Sequence, residues 1–272
     1  MRLRRGSGCS MLVKLSVCIV AYNNYEDVKA TVTSIEKYTS PKLTKKIYIV
    51  DNGAAVSQIE EVEKFKKYVS IKDDVEYIDA CENMGFGKGN NQILQVIDSQ
   101  YHAIVNPDIL FCEDTFSKII KWMDEHSEIG MTIPLITDKD GTRQEVYRSE
   151  LTVFDMFNRM FLKSAFRERE KRHTLQYHDF SKSFEVPFGQ GSFLVVRSEL
   201  FKKLKGFDDN FFMYAEDADL CKRVNQVSKL MYYPGTKVIH SWRKGSHHNR
   251  ILFKYHVESM AYYFKKWGWK FF

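Results

Sequence analysis

Short apolar runs and amphipathic stretches take turns along the first hundred residues. Leu15-Ser16-Val17-Cys18-Ile19-Val20 predicts a strand, and the stretch after it places Val28, Val32 and Ile35 on one helical face. Ile47 to Val50 predicts a second strand. Ser57-Gln58-Ile59-Glu60 has the form of a capping box, opening a helix that carries Ile59, Val62 and Phe65. Val75 to Ile78 predicts a third strand; a glycine-rich loop follows, and a helix is expected from about Lys88 to Ile97. Ala103-Ile104-Val105 predicts a fourth strand. Strand–helix alternation with short connections implies an α/β fold with a doubly wound, mostly parallel central sheet. Ligands of such sheets collect beyond the carboxyl ends of the strands. Asp51, Asn83 and Asp108 all fall there.

The second half loses that rhythm. Residues 151–173 read as helical, with Phe154, Phe157, Met160, Phe161 and Phe166. The later part of that stretch carries Arg159, Lys163, Arg167, Arg169, Lys171 and Arg172. Glu185 to Val196 reads as extended, and Ser198 to Leu204 as a short helix ending at Gly206. From Arg250 to Trp267 a final amphipathic helix is expected. It gathers Phe253, Val257, Met260, Ala261, Phe264 and Trp267 near one face, with Lys254, Lys265, Lys266 and Lys270 interspersed. No linker and no internal repeat divides the chain. The expectation is one domain over 11–240 and an appendage over 241–272, made of a basic loop and the amphipathic helix. Residues 1–10 are basic and Gly/Ser-rich and lack the apolar stretch of a signal peptide, so they read as a disordered or appended tail, with Met11 a candidate start.

Composition narrows the class. With 272 residues, 44% hydrophobic and 28% charged, the chain can bury a full core. No run approaches the roughly 18 apolar residues needed to span a bilayer. Cys9, Cys18, Cys81, Cys112 and Cys221 are scattered without C-x-x-C spacing, which points to reduced thiols in a cytoplasmic protein. A net charge of +6 permits acidic partners without choosing among them, and no nucleic-acid recognition motif is present.

Candidate chemistry concentrates at acids that follow apolar runs. Phe211-Phe212-Met213-Tyr214 reads as a strand-like segment that stops at Glu216, Asp217 and Asp219, where a helix pattern begins. Acids are favoured in a first helical turn by the helix dipole alone, and the same dipole favours the ionised form a general base needs. Glu216 and Asp219 would share a helix face while Asp217 points elsewhere. Asp51-Asn52-Gly53 fits either a tight turn or a carboxylate for the N3–H of a uracil or thymine ring. Gly85-Phe86-Gly87-Lys88-Gly89-Asn90-Asn91 lacks the last glycine of a dinucleotide fingerprint, so it reads as a phosphate cradle with Lys88 or as a loop opening a helix. Asp108, after Asn106-Pro107, offers hard oxygen to a divalent cation or serves a turn. His240 ends a strand-like run, and His247 and His248 lie in a basic loop with Arg243, Lys244 and Arg250.

In this order the motifs resemble family 2 glycosyltransferases of the GT-A fold, within them the bacterial rhamnosyltransferase-like branch, over roughly residues 14–240. Val20-Ala21-Tyr22-Asn23 resembles the opening strand motif, and Val50-Asp51-Asn52-Gly53 the nucleobase-binding strand end. Asn83 to Asn91 is similar to the NxGFxxGNN loop, and Asn106-Pro107-Asp108 stands where the family has D-x-D. Gly206-Phe207-Asp208 with Phe211 to Cys221 matches the GGFDE…FFMYxEDxDLC block.

The resemblance implies an inverting transfer of one sugar, L-rhamnose from dTDP-L-rhamnose, onto a saccharide or lipid-linked saccharide in cell-surface polysaccharide synthesis. A UDP-sugar donor or a non-catalytic nucleotide-sugar-binding protein are the alternatives. Asp217 would be the catalytic base; Asp108 and His240 would hold Mg²⁺ or Mn²⁺. Ala21, Tyr22, Asn23, Asp51, Asn83, Gly85, Lys88, Asn106, Gly191 and Glu216 would bind substrate. The enzyme would be cytoplasmic, touching the inner face of the cell membrane through 250–272. Three departures stand out. The first acid of D-x-D is Asn106, Ser241-Trp242 follows His240, and the Q-x-x-R-W signature of processive synthases is absent.

Overall fold

The computed structural model describes residues 13–53, 59–158, 166–241 and 250–272. The first half runs β1 (Val13–Ala21), α1 (Tyr25–Tyr38), β2 (Lys45–Asp51), α2 (Ile59–Ser70), β3 (Val75–Asp79), α3 (Phe86–Asn91), β4 (Ser99–Val105), β5 (Ile109–Phe111), α4 (Thr115–Glu125) and β6 (Ile129–Thr137). It continues with β7 (Tyr147–Arg148), α5 (Val153–Phe157), α6 (Arg167–His173), β8 (Phe184–Glu185), β9 (Phe188–Gly189), β10 (Phe193–Arg197), α7 (Ser198–Lys203), α8 (Glu216–Asn225), β11 (Lys229–His240) and α9 (Arg250–Trp267).

The main sheet has the order β3-β2-β1-β4-β10-β6-β11-β5, with β8 also on β11. β3, β2, β1 and β4 are mutually parallel, β10 is antiparallel to β4 and to β6, and β11 is parallel to β6. The carboxyl ends of β1, β2, β4, β6 and β11 therefore share one edge with the start of β10. This is the expected α/β architecture, a mixed but mostly parallel sheet flanked by helices. Leu15 to Ala21 are all buried, as befits a strand covered on both faces. The helices present their apolar stripes inward: Val28, Val32 and Ile35 from α1, and Val62, Phe65 and Val69 from α2. Cys18, Cys81, Cys112 and Cys221 are free thiols.

Two expectations need correction. The helix expected over 88–97 ends at Asn91, and turns carry the chain on to Ile97. Glycine and asparagine are weak helix formers, and the Asn91 side chain is committed elsewhere: it donates to Phe207 O at 2.8 Å and accepts from Phe207 N at 2.9 Å. The segment Phe211 to Tyr214 is not a strand but a series of bends. Its apolar residues are anchored to α9, Phe211 against Tyr262 and Phe212 against Tyr255, with Ser259 Oγ donating to Met213 O at 2.7 Å. Tyr214 (φ 72) and Ala215 (φ 63) then both enter the left-handed region before α8 begins. Two successive non-glycine residues there store strain of about 1–3 kcal/mol each, held by the surrounding packing. The capping residues Ser57 and Gln58, the basic loop with Arg243, Lys244, His247 and His248, and Arg159 and Lys163 lie outside the described residues.

Helix α9 matches its expected span, yet its apolar face splits. Met260, Tyr263 and Phe264 are buried against the body, whereas Phe253, Val257 and Ala261 are exposed. No helix of the described residues is long and apolar enough to cross a membrane.

Candidate active site

The sheet direction brings distant residues to one edge. β5 pairs antiparallel with β11, setting Ile109 opposite His240, so Asp108 sits beside that histidine. His240 Nε2 is 3.3 Å from Asp108 Oδ1. Gln144 Nε2 donates to His240 O at 2.9 Å and also to Asp138, so its Oε1 accepts from His240 Nδ1 at 2.8 Å. With the proton on Nδ1, the Nε2 lone pair faces a carboxylate oxygen. A proton or a cation between them relieves that contact. Asp108 is partly exposed and borders a cleft of about 440 Å³ with Asp27, Asp138 and His240. An imidazole nitrogen, a carboxylate oxygen and an oriented supporting amide fit a divalent cation whose remaining positions come from phosphate and water. Among the described residues no group of three or more His, Cys, Asp or Glu forms such a site without outside ligands.

The start of β10 ties this pair to the acids of α8. Asn106 N donates to Ser192 O at 2.8 Å, and one residue earlier Gly191 N donates to Asp217 Oδ2 at 3.0 Å. Asp217 Oδ1 accepts from Ala218 N at 2.8 Å, so both oxygens are oriented by backbone donors. The residue remains half-buried. Crowding by protein raises its pKa, opposed by the N–H groups of Gly191 and Ala218 and by the Arg148 charge. Glu216 is buried, its Oε2 lacks a hydrogen-bond partner among the described residues, and its carboxyl is pushed up to about 8 by burial and by the charge of Asp217. Asp219, on the Glu216 side of the helix, is fully buried and accepts from Arg223 Nε (2.7 Å), Lys266 Nζ (2.6 Å) and Trp267 Nε1 (2.9 Å). Of the three acids, Asp219 is committed to structural partners, and Asp217 is the one that keeps partial exposure.

The β2 end joins the same edge. Asp51 is buried, and its Oδ2 accepts from Tyr77 Oη (2.7 Å) and Tyr25 Oη (2.8 Å) while Oδ1 accepts from Gly53 N (3.2 Å). Asn52 Nδ2 donates to Gly85 O at 2.8 Å, linking β2 to the glycine loop. Gly85 has φ +83, and a Cβ there would come within 1.9 Å of Phe212 O, so only glycine lets the loop lie on the segment leading to Asp217. Asn83 is exposed and its Oδ1 accepts from Gly85 N at 3.0 Å; Lys88 lies in the first turn of α3, half-buried. Ala21 is buried in register with Asp51, Tyr22 is half exposed, and Asn23 takes φ 56 at the β1 exit. Contacts between neighbours thus connect Asp51, Asp108 and Asp217 around one edge.

Sequence reasoning missed Tyr25, Tyr77, Gln144, Arg148 and Gln190. Gln144, Arg148 and Gln190 line, with Asn158 and His240, a cavity of about 200 Å³ beside the histidine. No spacing rule reaches Gln144 from His240, 96 positions away.

Comparison with known proteins identifies the family and the fold. Residues 16–205 match the model described as Glycosyl transferase family 2. The rhamnosyltransferase WbbL of Escherichia coli (strain K12) is 28% identical over 191 residues, covering 66% of this chain and 69% of that protein. A crystal structure of GalNAc-T7 with UDP, GalNAc and Mn²⁺ superposes with a TM-score of 0.63 at 17% identity, over 86% of this chain and 45% of that one. A mannosyltransferase from Pyrobaculum calidifontis, in complex with GDP-Man and Mn²⁺, gives 0.60 at 16% identity, over 86% and 59%. This chain therefore spans about half the length of those solved chains, and their likeness is one of fold.

Proposed function

We propose, from the premise that the chain belongs to glycosyl transferase family 2, that it transfers one sugar from a nucleotide-diphosphate donor to a saccharide or lipid-linked saccharide hydroxyl. The observation that carries this reading is the double tie at β10: Ser192 O holds the Asp108 loop and Gly191 N holds Asp217. A group for the leaving diphosphate and a base for the incoming hydroxyl then lie on either side of one site.

Asp217 accepts the acceptor hydroxyl's proton as that oxygen attacks the anomeric carbon, and the bond to the diphosphate breaks with inversion. Its raised pKa makes it a stronger base than an ordinary carboxylate. One committed base suffices for a direct displacement, unlike the carboxylate pair of most glycosidases. Asp108 and His240 would hold Mg²⁺ or Mn²⁺, which supplies positive charge for the leaving diphosphate. The cavity beside His240 receives the sugar being transferred, and alignment of donor and acceptor supplies much of the acceleration. Asp51 reads the base with the lone pair that Oδ1 retains; Lys88 and the Asn83–Gly85 loop face the diphosphate. Ala21, Tyr22, Asn23, Asn106 and Glu216 complete the substrate site.

The donor nucleotide in this reading is UDP, in keeping with the UDP-bound GalNAc-T7 structure on the same fold. A second reading, dTDP-L-rhamnose, is favoured by the similarity to WbbL. The enzyme works at the cytoplasmic face of a membrane. A thermal-shift screen over nucleotide-sugars, with and without Mn²⁺, separates the donors. Absence of any nucleotide response overturns the assignment, and hydrolysis or transfer that persists in Asp217→Asn overturns the role of the base.

A further inference from the structure

Three separate segments place aromatic rings at one surface. Val153 N donates to Lys270 O at 2.9 Å and Phe154 N to Phe271 O at 3.1 Å, which straps residues 270–272 to the start of α5. The Phe154 ring then touches both Phe166, at 5.2 Å, and Phe272, at 5.5 Å. Around this contact Trp269, Phe271 and Phe272 are 57%, 58% and 77% exposed, and Phe157 and Phe166 are about half exposed. Isolated exposed apolar residues are ordinary, but here Phe166 and Phe272 meet on Phe154, with Phe157 on the same short helix and Trp269 and Phe271 in the same strapped tail, and together they form a patch that calls for a partner.

Charge indicates which partner. The Arg169 guanidinium lies 4.7 Å from the Phe154 ring and 5.7 Å from the Phe272 ring, held by Asp155. Arg167 adjoins Phe166 in the chain, and Lys270 stands between Trp269 and Phe271. Residues 265–272 carry three lysines and no acid, and 167–173 carry four basic groups besides His173 against two glutamates. Lys266 is spent on Asp208 and Asp219, and Lys270 meets Glu150, yet the rim keeps a positive surplus. Two copies meeting through this patch would press like-charged rims together. An anionic lipid surface instead takes the rings at headgroup level and the cations at the phosphates.

We infer that Phe157, Phe166, Trp269, Phe271 and Phe272 form a docking surface for an anionic lipid bilayer. The surface is built by the tail after α9 and by α5–α6 rather than by the apolar face of α9, whose Met260 and Phe264 are packed on the body. The inference deepens the lipid-linked acceptor reading and rests on it for its purpose, while its geometry stands alone.

The full chain is tested by co-sedimentation with vesicles rich in phosphatidylglycerol and with vesicles of phosphatidylcholine alone. The wild type is expected to bind the anionic vesicles, more weakly as salt rises. Trp269→Ser with Phe272→Ser should reduce that binding about tenfold, while Val257→Ser on the outer face of α9 leaves it unchanged. Phe272→Ser alone, at the most exposed ring, serves where the double variant does not fold, and should reduce binding measurably. Undiminished binding by these variants, or no vesicle binding by the wild type, overturns the proposal. So does a dimer of the wild type that the same substitutions dissolve. Nucleotide-sugar hydrolysis is measured on the same samples: vesicle binding without hydrolysis sinks the transferase reading alone, and hydrolysis without vesicle binding sinks the lipid surface alone.

Discussion

His240 Nε2 and Asp108 Oδ1 face each other at 3.3 Å, with Gln144 fixing the proton on the far nitrogen of the ring. If a divalent cation occupies the gap, Mn²⁺ should raise the unfolding midpoint when UDP is present, and a chelator should return it. Asp108→Asn and His240→Ala should each abolish the Mn²⁺ increment and keep any shift due to nucleotide alone. Gln144→Leu, which leaves the imidazole unoriented, should weaken Mn²⁺ about 10–100-fold in titration calorimetry. Equal Mn²⁺ response in all four proteins would refute the site.

Asp217→Asn keeps the size of the side chain and removes the proton acceptor. Loss of general-base catalysis is expected to lower kcat about 10²–10⁴-fold. Nucleotide-sugar affinity and unfolding temperature should stay near the wild type. A parallel loss of donor affinity would mean that the residue serves binding instead.

The strand–helix alternation and the placement of Asp51 and Asp108 were legible because an apolar run followed by a polar stop records a strand end locally. The same holds for α9, whose bounds match the expected Arg250–Trp267. What escaped depends on long-range pairing. The antiparallel insertion of β10 between β4 and β6 puts Gly191 beside Asp217, and nothing near Gly191 announces it. Phe211 to Tyr214 looked extended because consecutive apolar residues resemble a buried strand; the segment instead packs on α9 and leads into left-handed backbone at Tyr214 and Ala215. The aromatic face of α9 was readable as a stripe, but whether the body or a membrane covers it was not.

The carboxyl of Glu216 is pushed up to about 8, above its ordinary 4.5, so the folded protein holds a proton there that the unfolded chain releases. The contribution of Glu216 is fully present below pH 4.5 and is lost as pH rises toward 8. Glu216→Gln should therefore flatten the decline of stability across that window and leave the variant more stable at pH 8, by on the order of 2 kcal/mol. Denaturant titrations at pH 5, 6.5 and 8, on the order of one unit or more apart, measure this. A wild-type stability that climbs over the window contradicts it.

Activity responds in the opposite sense. Asp217 must be ionised to act, and its raised pKa places the acid limb of kcat/KM above the usual carboxylate range. Because the Arg148 charge lowers that pKa, Arg148→Met should move the limb further up. An unmoved limb with an equally reduced plateau would assign Arg148 to substrate contact alone.

Tyr25 and Tyr77 saturate one oxygen of Asp51 and fix the direction of the other. Tyr77→Phe leaves the ring and removes one donor, so stability should fall by about 1 kcal/mol, with a larger relative loss in nucleotide affinity. Asp51→Asn should cost more, since an amide that donates toward a base N3–H repels it. A screen of UDP against GDP and ADP gives the readout: the preference for UDP should shrink in both variants, and preserved discrimination would remove Asp51 from base recognition.

Neighbouring acids on α8 should separate cleanly by the kind of damage they produce. Asp219 is fully buried and is the common acceptor for Arg223, Lys266 and Trp267, so it binds α8 to α9. Asp219→Ala strands the Arg223 charge in a nearly buried position, and breaking such a pair costs about 3–5 kcal/mol. The loss should appear in the unfolding midpoint. Helix α9 also anchors Met213 O and the rings of Phe211 and Phe212, so its release relaxes the left-handed turn at Tyr214 and Ala215 that presents Asp217. Activity should then fall together with stability, and Trp267→Phe, which keeps the packing and drops one hydrogen bond, should show a smaller version of both. Asp217→Asn should show the reverse, with catalysis lost and the fold kept. An Asp219→Ala protein of wild-type stability that is nonetheless inactive would exchange the roles assigned to the two residues.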